Sequence, residues 1–270
     1  MNAGAGTVRA SNTDGIAAVT IDHCVRRNAL TRSMGRELAV LWDQLAEDPA
    51  VRVIVLTGAG QDFCAGADFS DPANFPSDEA GEAPRVQPVN WVTRAARRHV
   101  MGIMECEKPV LAKVRGAAYG MGASMALACD MVFAGNSADF CDSHVKMGLA
   151  AGDGGVLLWP LAIGVHRAKE YLMTGTPVSA AVAASIGLIN RSLPDEELDS
   201  HVQAVAEQLR DLPPHAVNYT KMSLNLAVKQ MTGAAFEASL AYELYTMRMD
   251  DSTEAAQAFL QKRPGIFKGR

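Results

Sequence analysis

The sequence is poor in the features that mark disulfide-stabilised, exported or membrane-spanning proteins. Only five cysteines occur in 270 residues, and their odd number and irregular spacing fit neither a disulfide framework nor a CxxC metal site. No run of about 18 apolar residues is present, and the N-terminal segment has no apolar stretch typical of an export signal. A reducing cytoplasm is therefore the expected compartment, and no metal site is expected.

Positive charge is also in short supply. The chain has 25 Lys and Arg against 30 Asp and Glu, which gives a formal net charge of −5. The cations are scattered, so there is no basic stripe for nucleic acid and no polybasic tail for a membrane surface. With 49% hydrophobic residues the chain can bury a large core. We expect a soluble globular protein that acts on a small molecule.

Short apolar strands alternate with helical patterns through most of the chain. Strands are predicted at 16–22, 51–58, 109–116 and 131–135, with helices between them. After residue 193 only helices are predicted, at 195–212, after Pro214, at 233–249 and at 252–262. The sequence therefore predicts an α/β core over 1–193 and an all-helical region over 194–270. The proline-rich segment 71–90 is predicted to be a mobile lid.

Two strands end in glycine-containing turns, QDFCAGAD (61–68) and VRGAAYGMGAS (114–124). Turns of this kind leave backbone N–H groups without partners, and the second one leads directly into a helix, whose N-terminus adds a positive dipole end. Because two donors from different chain segments can converge on one oxygen, the pair predicts a site that stabilises an oxyanion or an enolate.

With these turns in place, the chain resembles the enoyl-CoA hydratase/isomerase, or crotonase, superfamily. The matching segments are RRNALT (26–31), FCAGADF (63–69), KPVLAKVRGAAYGMGASMALACD (108–130), the glycine loop 148–155 and AFLQKRPGIF (258–267). The resemblance implies an α/β spiral of ββα units with C-terminal helices that trimerise, often as a dimer of trimers. It also implies an acyl-CoA substrate in fatty acid metabolism, with CoA as part of the substrate and no separate cofactor.

The resemblance assigns roles to individual residues. The oxyanion hole would be formed by the backbone N–H groups of Ala67 and Met121; Met121 stands where glycine is common, but the contact is made by the backbone. Ala65, Arg26, Arg27, Lys262 and Arg263 are the candidates for binding CoA, the four cations through its phosphates. Ordinary solvated surface charge is the alternative for these cations.

The departures from the family concern the acid–base groups. Hydratases of this family use two glutamates, and here Ser124 and His144 stand at those positions. A serine hydroxyl can position water or a substrate hydroxyl but cannot act as a base near neutrality, whereas histidine can. Asp153 is the expected partner that orients His144, within DSHVKMGLAAGDGG (142–155). The alternatives are a core histidine, and an Asp153 that caps the following helix.

A similar histidine and aspartate pair, with like GDG and WP segments, occurs in the β-diketone hydrolases of this family. The glutamate that those enzymes add from a late helix has no clear match here, because Met247 takes its place and Glu243 lies one turn earlier. We therefore expect a lyase or isomerase rather than a C–C bond or thioester hydrolase. An acyl-enzyme on Ser124 and a non-catalytic CoA-binding trimer are further alternatives.

The other five histidines lie in unrelated contexts of the sequence. They are interpreted as structural or surface residues: His23, His99, His166, His201 and His215.

Overall fold

Two β-sheets organise the chain in this computed structural model, which describes residues 6–71 and 90–270. The larger sheet has the order β1-β2-β3-β4-β6-β9, and the smaller has the order β5-β7-β8. The strands are β1 Thr7–Thr13, β2 Ile16–Asp22, β3 Val53–Gly58, β4 Val110–Val114, β5 Ala117–Tyr119, β6 Met131–Gly135, β7 Asp139–Cys141, β8 Val178–Ser179 and β9 Arg191–Leu193. From β2 to β9 the larger sheet is parallel, and β1 joins its edge as an antiparallel partner of β2.

Helices cover both faces of the larger sheet. They are α1 Arg32–Glu47, α2 Asn90–Glu105, α3 Met121–Ala128, α4 Gly155–Ile163, α5 Val165–Thr174, α6 Ala180–Ser185, α7 Leu198–Asp211, α8 Pro214–Thr246 and α9 Asp250–Leu260. Helix α1 begins after Thr31, whose hydroxyl accepts a hydrogen bond from the Met34 N–H at 3.3 Å. Its apolar face buries Met34, Leu38 and Trp42 in the main core. These contacts place one wall of the cavity described below.

A second, smaller core lies on the opposite face of the sheet. There α7 packs Leu198, Val202 and Ala206 against side chains that include Val53 and Leu111. Parallel strands bury both faces, so continuous apolar runs such as β3 are expected. The strand and helix alternation predicted from the sequence agrees with this arrangement.

The helical C-terminal region differs from the prediction in one respect. Residues 214–246 form the single helix α8 of 33 residues, although two helices were predicted. Gly233 lies inside this helix and does not end it. Apart from Asp71 and Asn90, the predicted lid lies outside the described residues. Within the described part of the chain, no helix is long and apolar enough to cross a membrane.

Candidate active site

The glycine turns, the start of α3 and the late part of α8 meet around one cavity of about 790 Å³. This is within the ordinary size of a small-molecule site, about 300–1,000 Å³. Its walls include the backbone of Ala67 and Met121 and the side chains of His144, Asp153 and Glu243. The cavity therefore combines two candidate amide donors with three ionisable side chains.

The first turn is held in place by bonds on either side of Ala67. The Leu30 N–H donates to the Gly66 carbonyl at 2.7 Å, and the Asp68 N–H donates to the Leu30 carbonyl at 2.9 Å. These two bonds involve the residues before and after Ala67. Among the described residues, the Ala67 N–H itself has no backbone acceptor. The amide is therefore available to a ligand.

The second turn supplies Met121, the first residue of α3, whose N–H has no acceptor within its own helix. The two turns are in contact: a Cβ on Gly66, which has φ +94°, would lie 3.0 Å from the Tyr119 carbonyl oxygen and 3.8 Å from the Met121 nitrogen. Any side chain at position 66 would thus crowd the second turn next to the Met121 nitrogen. This is a position where only glycine fits.

His144 lies between two carboxylates. Its Nδ1 is 2.7 Å from Asp142 Oδ1, and its Nε2 is 3.0 Å from Asp153 Oδ2. Burial acts to lower the pKa of His144, but the charges of Asp153 and Asp142 and their hydrogen bonds outweigh it and hold the pKa well above its ordinary value. With both ring nitrogens donating, the side chain is an imidazolium. This differs from the expected base titrating near neutrality, since that expectation did not include Asp142.

Asp153 connects this histidine to α3. Its Oδ1 accepts a hydrogen bond from Ser124 Oγ at 2.7 Å, and its side chain is buried. Burial acts to raise the pKa of Asp153, yet His144 and the Ser124 hydroxyl lower it overall. The residue that caps α4 is Gly154, without a side-chain cap bond, so the capping alternative for Asp153 is wrong. Ser124 is buried behind Asp153 and does not line the cavity.

Glu243 of α8 completes the ionisable cluster. Its Oε1 lies 3.9 Å from His144 Nε2, and its side chain is buried. Burial, followed by the negative charge of Asp153, raises the pKa of Glu243 to about 8. Met247, one turn later, also lines the cavity. The phase of α8 thus directs Glu243, the glutamate one turn before Met247, to the histidine, and whether it corresponds to the late-helix glutamate of the hydrolases stays a prediction.

The cluster also has the residue types of a metal site. One ligand atom from each of His144, Asp153 and Glu243 lies within 4.8 Å of the others, although no such cluster was visible in the sequence. In the present arrangement the His144 Nε2 that would bind a metal donates to Asp153. The prediction that the protein uses no metal stays a prediction.

The residues predicted to bind CoA do not all lie at the cavity. Ala65 lines the cavity, and its N–H donates to the Arg27 carbonyl at 3.0 Å. The Arg27 guanidinium binds Asp62 through two bonds of 2.9 and 3.1 Å, and Arg263 binds Glu254. Four other cations, which sequence reasoning missed, line the cavity: Arg32, Arg36, Arg94 and Arg98.

Comparisons with known proteins agree with this geometry. The family model described as enoyl-CoA hydratase/isomerase matches residues 11–270. A probable enoyl-CoA hydratase from Rhodobacter capsulatus is 34% identical over 266 residues, which is 98% of each chain. A 1,2-epoxyphenylacetyl-CoA isomerase from Escherichia coli is 32% identical over 95% of this chain and 96% of its own. The crystal structure of an enoyl-CoA hydratase from Mycobacterium avium subsp. paratuberculosis superposes with a TM-score of 0.86 at 29% identity, covering 97% of this chain and 98% of that one.

The chain belongs to the enoyl-CoA hydratase/isomerase family. It is an acyl-CoA-processing enzyme of the hydratase/isomerase type with the crotonase fold, so the family, fold class and enzyme class predicted from the sequence are confirmed. The division at residue 193, the subunit number and the roles of individual residues stay predictions.

Proposed function

We propose that the protein is an acyl-CoA hydratase or isomerase that works through a thioester enolate. The thioester oxygen would accept hydrogen bonds from the N–H groups of Ala67 and Met121. The observation that carries the proposal is that these two amides and the ionisable cluster of His144, Asp153 and Glu243 line the same cavity. An enolate needs both elements at once, because the base creates negative charge that the amides must stabilise.

Glu243 is the proposed proton-transfer group. Its ionised form would take a proton from the carbon next to the thioester carbonyl, and the C–H electron pair would move to the carbonyl oxygen. For an acyl chain with a double bond between carbons three and four, return of the proton to carbon four shifts the double bond. For hydration of a double bond between carbons two and three, Glu243 would take the proton from water instead, the hydroxide would add to carbon three as the π electrons move to the carbonyl oxygen, and the proton would return to carbon two. A carboxyl with a pKa near 8 suits this task, because both its forms are populated near neutrality.

His144 and Asp153 are assigned a supporting electrostatic role. Since Asp142 and Asp153 hold both ring nitrogens of His144, the ring cannot accept a proton without losing one of these bonds. Its positive charge lies near the Glu243 carboxylate and opposes the effect of Asp153 on it. The His144–Asp153 base expected from the sequence thus becomes, in this proposal, the group that stabilises ionised Glu243.

The proposal includes a CoA site and an oligomer. The exposed cations Arg36, Arg94 and Arg98 line the cavity and are added to the predicted phosphate contacts. Self-association as a trimer or a dimer of trimers is supported by large exposed apolar side chains in the C-terminal region: Leu224, Leu226, Met231, Phe259, Ile266 and Phe267. Sedimentation analysis would give the subunit number.

Glu243 also favours a second candidate, hydrolysis of a C–C bond or a thioester. The resemblance to the β-diketone hydrolases implied a histidine, an aspartate and a late-helix glutamate, and all three meet in this cavity. The carboxylate would then remove a proton from water, and the same two amides would bind the oxyanion formed when water attacks a carbonyl. The two candidates differ in the carbon that is attacked, because only the hydrolase adds water to a carbonyl carbon and breaks a C–C or C–S bond.

The decisive test is deuterium exchange into hexanoyl-CoA in heavy water, followed by mass spectrometry. We expect exchange next to the thioester carbonyl without release of free CoA, and a rate about 10²–10⁴-fold lower in Glu243→Gln. Release of thiol, or cleavage of a β-diketone, without exchange would instead establish the hydrolase. If the protein binds hexanoyl-CoA but neither exchanges deuterium nor releases thiol, and also does not convert crotonyl-CoA, the non-catalytic CoA-binding trimer would be the remaining alternative.

A further inference from the structure

His99 of α2 is buried in the wall of the same cavity, although the sequence suggested a structural role. Its side chain is 3% exposed. Within the described ranges 6–71 and 90–270, its Nδ1 has no hydrogen-bond partner. Buried nitrogen atoms in native proteins are almost always satisfied by protein, water or ligand. The opposite edge of the ring, which carries Nε2, lies beside Gly35 in the cavity lining, so it is the edge at which a ligand in the cavity would bind.

A second buried histidine shows the ordinary alternative. His23 is 6% exposed, and its Nδ1 lies 3.0 Å from the Ala29 carbonyl oxygen. That contact fixes the ring in the core and needs no further group. His99 has no equivalent contact among the described residues, so burial alone does not account for its position.

The ring of His99 is neutral. Burial lowers its pKa to about 4, although the negative charge of Asp153 acts to raise it. A neutral imidazole has one N–H donor and one acceptor nitrogen. It can therefore bind a hydroxyl in either direction, or donate to a carbonyl oxygen, without introducing charge into the cavity.

Gly35 of α1 leaves space for this ring. A Cβ at position 35 would lie 3.1 Å from His99 Nε2 and 3.5 Å from Cε1, and both residues line the cavity. Glycine inside a helix is unfavourable relative to alanine. At this position its lack of a side chain lets the imidazole edge reach the cavity wall.

We propose that His99 is a specificity residue that hydrogen-bonds to an oxygen atom on the acyl chain, so that the enzyme prefers an oxygenated acyl-CoA over a plain alkyl one. The inference rests on the proposed function only in placing the acyl group in this cavity. His99 and Asp153 line the same cavity, so the recognised oxygen would share that cavity with the proton-transfer cluster. A plain alkyl chain would offer no hydrogen-bonding group to the Nε2 edge of the ring.

Calorimetric binding tests this inference separately from catalysis. The probes are hexanoyl-CoA and three hydroxyhexanoyl-CoA isomers, with the hydroxyl on carbon four, five or six. We expect the wild-type protein to bind at least one hydroxy isomer about five- to fiftyfold more tightly than hexanoyl-CoA. In His99→Phe, which replaces the imidazole with another flat ring, we expect the hydroxy isomer and hexanoyl-CoA to bind with about equal affinity. Failure of the proposed chemistry would appear as absent deuterium exchange and would leave this binding ratio unaffected.

His201→Phe is the matched control. His201 lies on α7, packs edge-on against Phe133 at 5.0 Å between ring centroids, and also has a buried nitrogen without a partner in the described chain, but it does not line the cavity. This variant should keep the full preference. His99→Asn retains a donor and an acceptor and should keep part of it, which provides a measurement if His99→Phe does not fold. A wild-type protein with no preference for any hydroxy isomer, or a preference unchanged in His99→Phe, would overturn the inference.

Discussion

Helix α8 carries a buried ionisable side chain toward each end, and the two side chains differ in how completely they are hydrogen-bonded. Toward its start, the Lys221 ammonium lies 2.8 Å from Asp130 and also donates to the carbonyls of Ile103 and Lys108 at 3.1 and 2.9 Å. Toward its end, Glu243 lies 3.9 Å from His144, and its Oε2 has no partner in the described part of the chain. The same helix thus ends in one fully paired cluster and one incompletely paired cluster.

This difference separates anchoring from chemistry. The three acceptors around Lys221 hold α8 against α2 and against the segments that lead into β4 and β6, and Lys221 does not line the cavity described above. The cluster around Glu243 has unpaired acceptor atoms and faces a cavity. A buried ionisable group with a strongly shifted pKa that faces a cavity is a candidate for proton exchange with a ligand. The predictions below test whether the two ends can be separated.

The largest effect is expected from Asp153→Asn. Loss of this charge removes the group that holds His144 Nε2, so the histidine is no longer fixed as a cation beside Glu243. We expect the deuterium-exchange rate to fall by about 10³–10⁴-fold, as for other orienting carboxylates, with the free energy of unfolding changed far less. Asp139→Asn is the control, because Asp139 also accepts a hydroxyl hydrogen bond, from Tyr119 at 2.6 Å, outside the cavity. Full activity in Asp153→Asn would contradict the assigned role.

Substitution at the other end of α8 should lower the stability of the protein without changing its activity. Lys221→Met leaves Asp130 without its cation, and we expect the free energy of unfolding in urea to fall by about 3–5 kcal/mol. The more exposed pair between Lys229 and Glu105, on the same helix, is the control, and Lys229→Met should cost about 1 kcal/mol or less. Exchange activity per folded molecule should be unchanged in both. A selective loss of activity in Lys221→Met would show that the two ends are coupled.

The incomplete cluster was only partly predictable from the sequence. The two glycine turns and His144 with Asp153 were found because they lie in short motifs with a local physical meaning. Glu243 was noticed only as the residue one turn before Met247, because the sequence does not show which face of this helix meets the cavity. Glu243 and Met247 are four residues apart and share one face of the helical backbone, and both lie within the predicted helix 233–249, so the pattern already placed them on the same side.

Asp142 was missed although a local signal was present. Its Oδ1 accepts a hydrogen bond from the His144 N–H, two residues later, at 3.3 Å. An aspartate that bonds to the backbone two residues on is a common turn, and DSH is compatible with it. That turn brings the carboxylate to His144 Nδ1. His99 gave no such signal, since only the packing of α2 against α1 places it in the cavity.

Glu243 should also give the molecule a pH dependence that Lys221 does not. Its pKa is raised from 4.5 to about 8, so the folded state holds a proton that the unfolded state loses. The stability from this proton is complete below about pH 4.5 and is lost as the pH rises to about 8, by at most about 1.4 kcal/mol per pH unit. Urea unfolding over this range should show wild type losing stability relative to Glu243→Gln. Exchange activity should rise toward pH 8, because ionised Glu243 is the base. Parallel stability curves for the two proteins would contradict this assignment.

The smallest effect is expected from Ser124→Ala, which removes only the hydroxyl that donates to Asp153 at 2.7 Å. A hydrogen bond to a charged group is worth about 1.5–3 kcal/mol, and part of that loss would be recovered because His144 still holds Asp153. We expect the exchange rate to fall by about tenfold. Ser239→Ala is the control: within residues 6–71 and 90–270 its buried hydroxyl bonds only to the carbonyls of Gly152 and Phe236, and its removal should leave the rate within about twofold. If Ser124 formed an acyl-enzyme, the alanine variant would lose all turnover and the wild-type protein would gain the acyl mass. A residual rate near one tenth, with no covalent adduct, would instead establish Ser124 as the residue that positions Asp153.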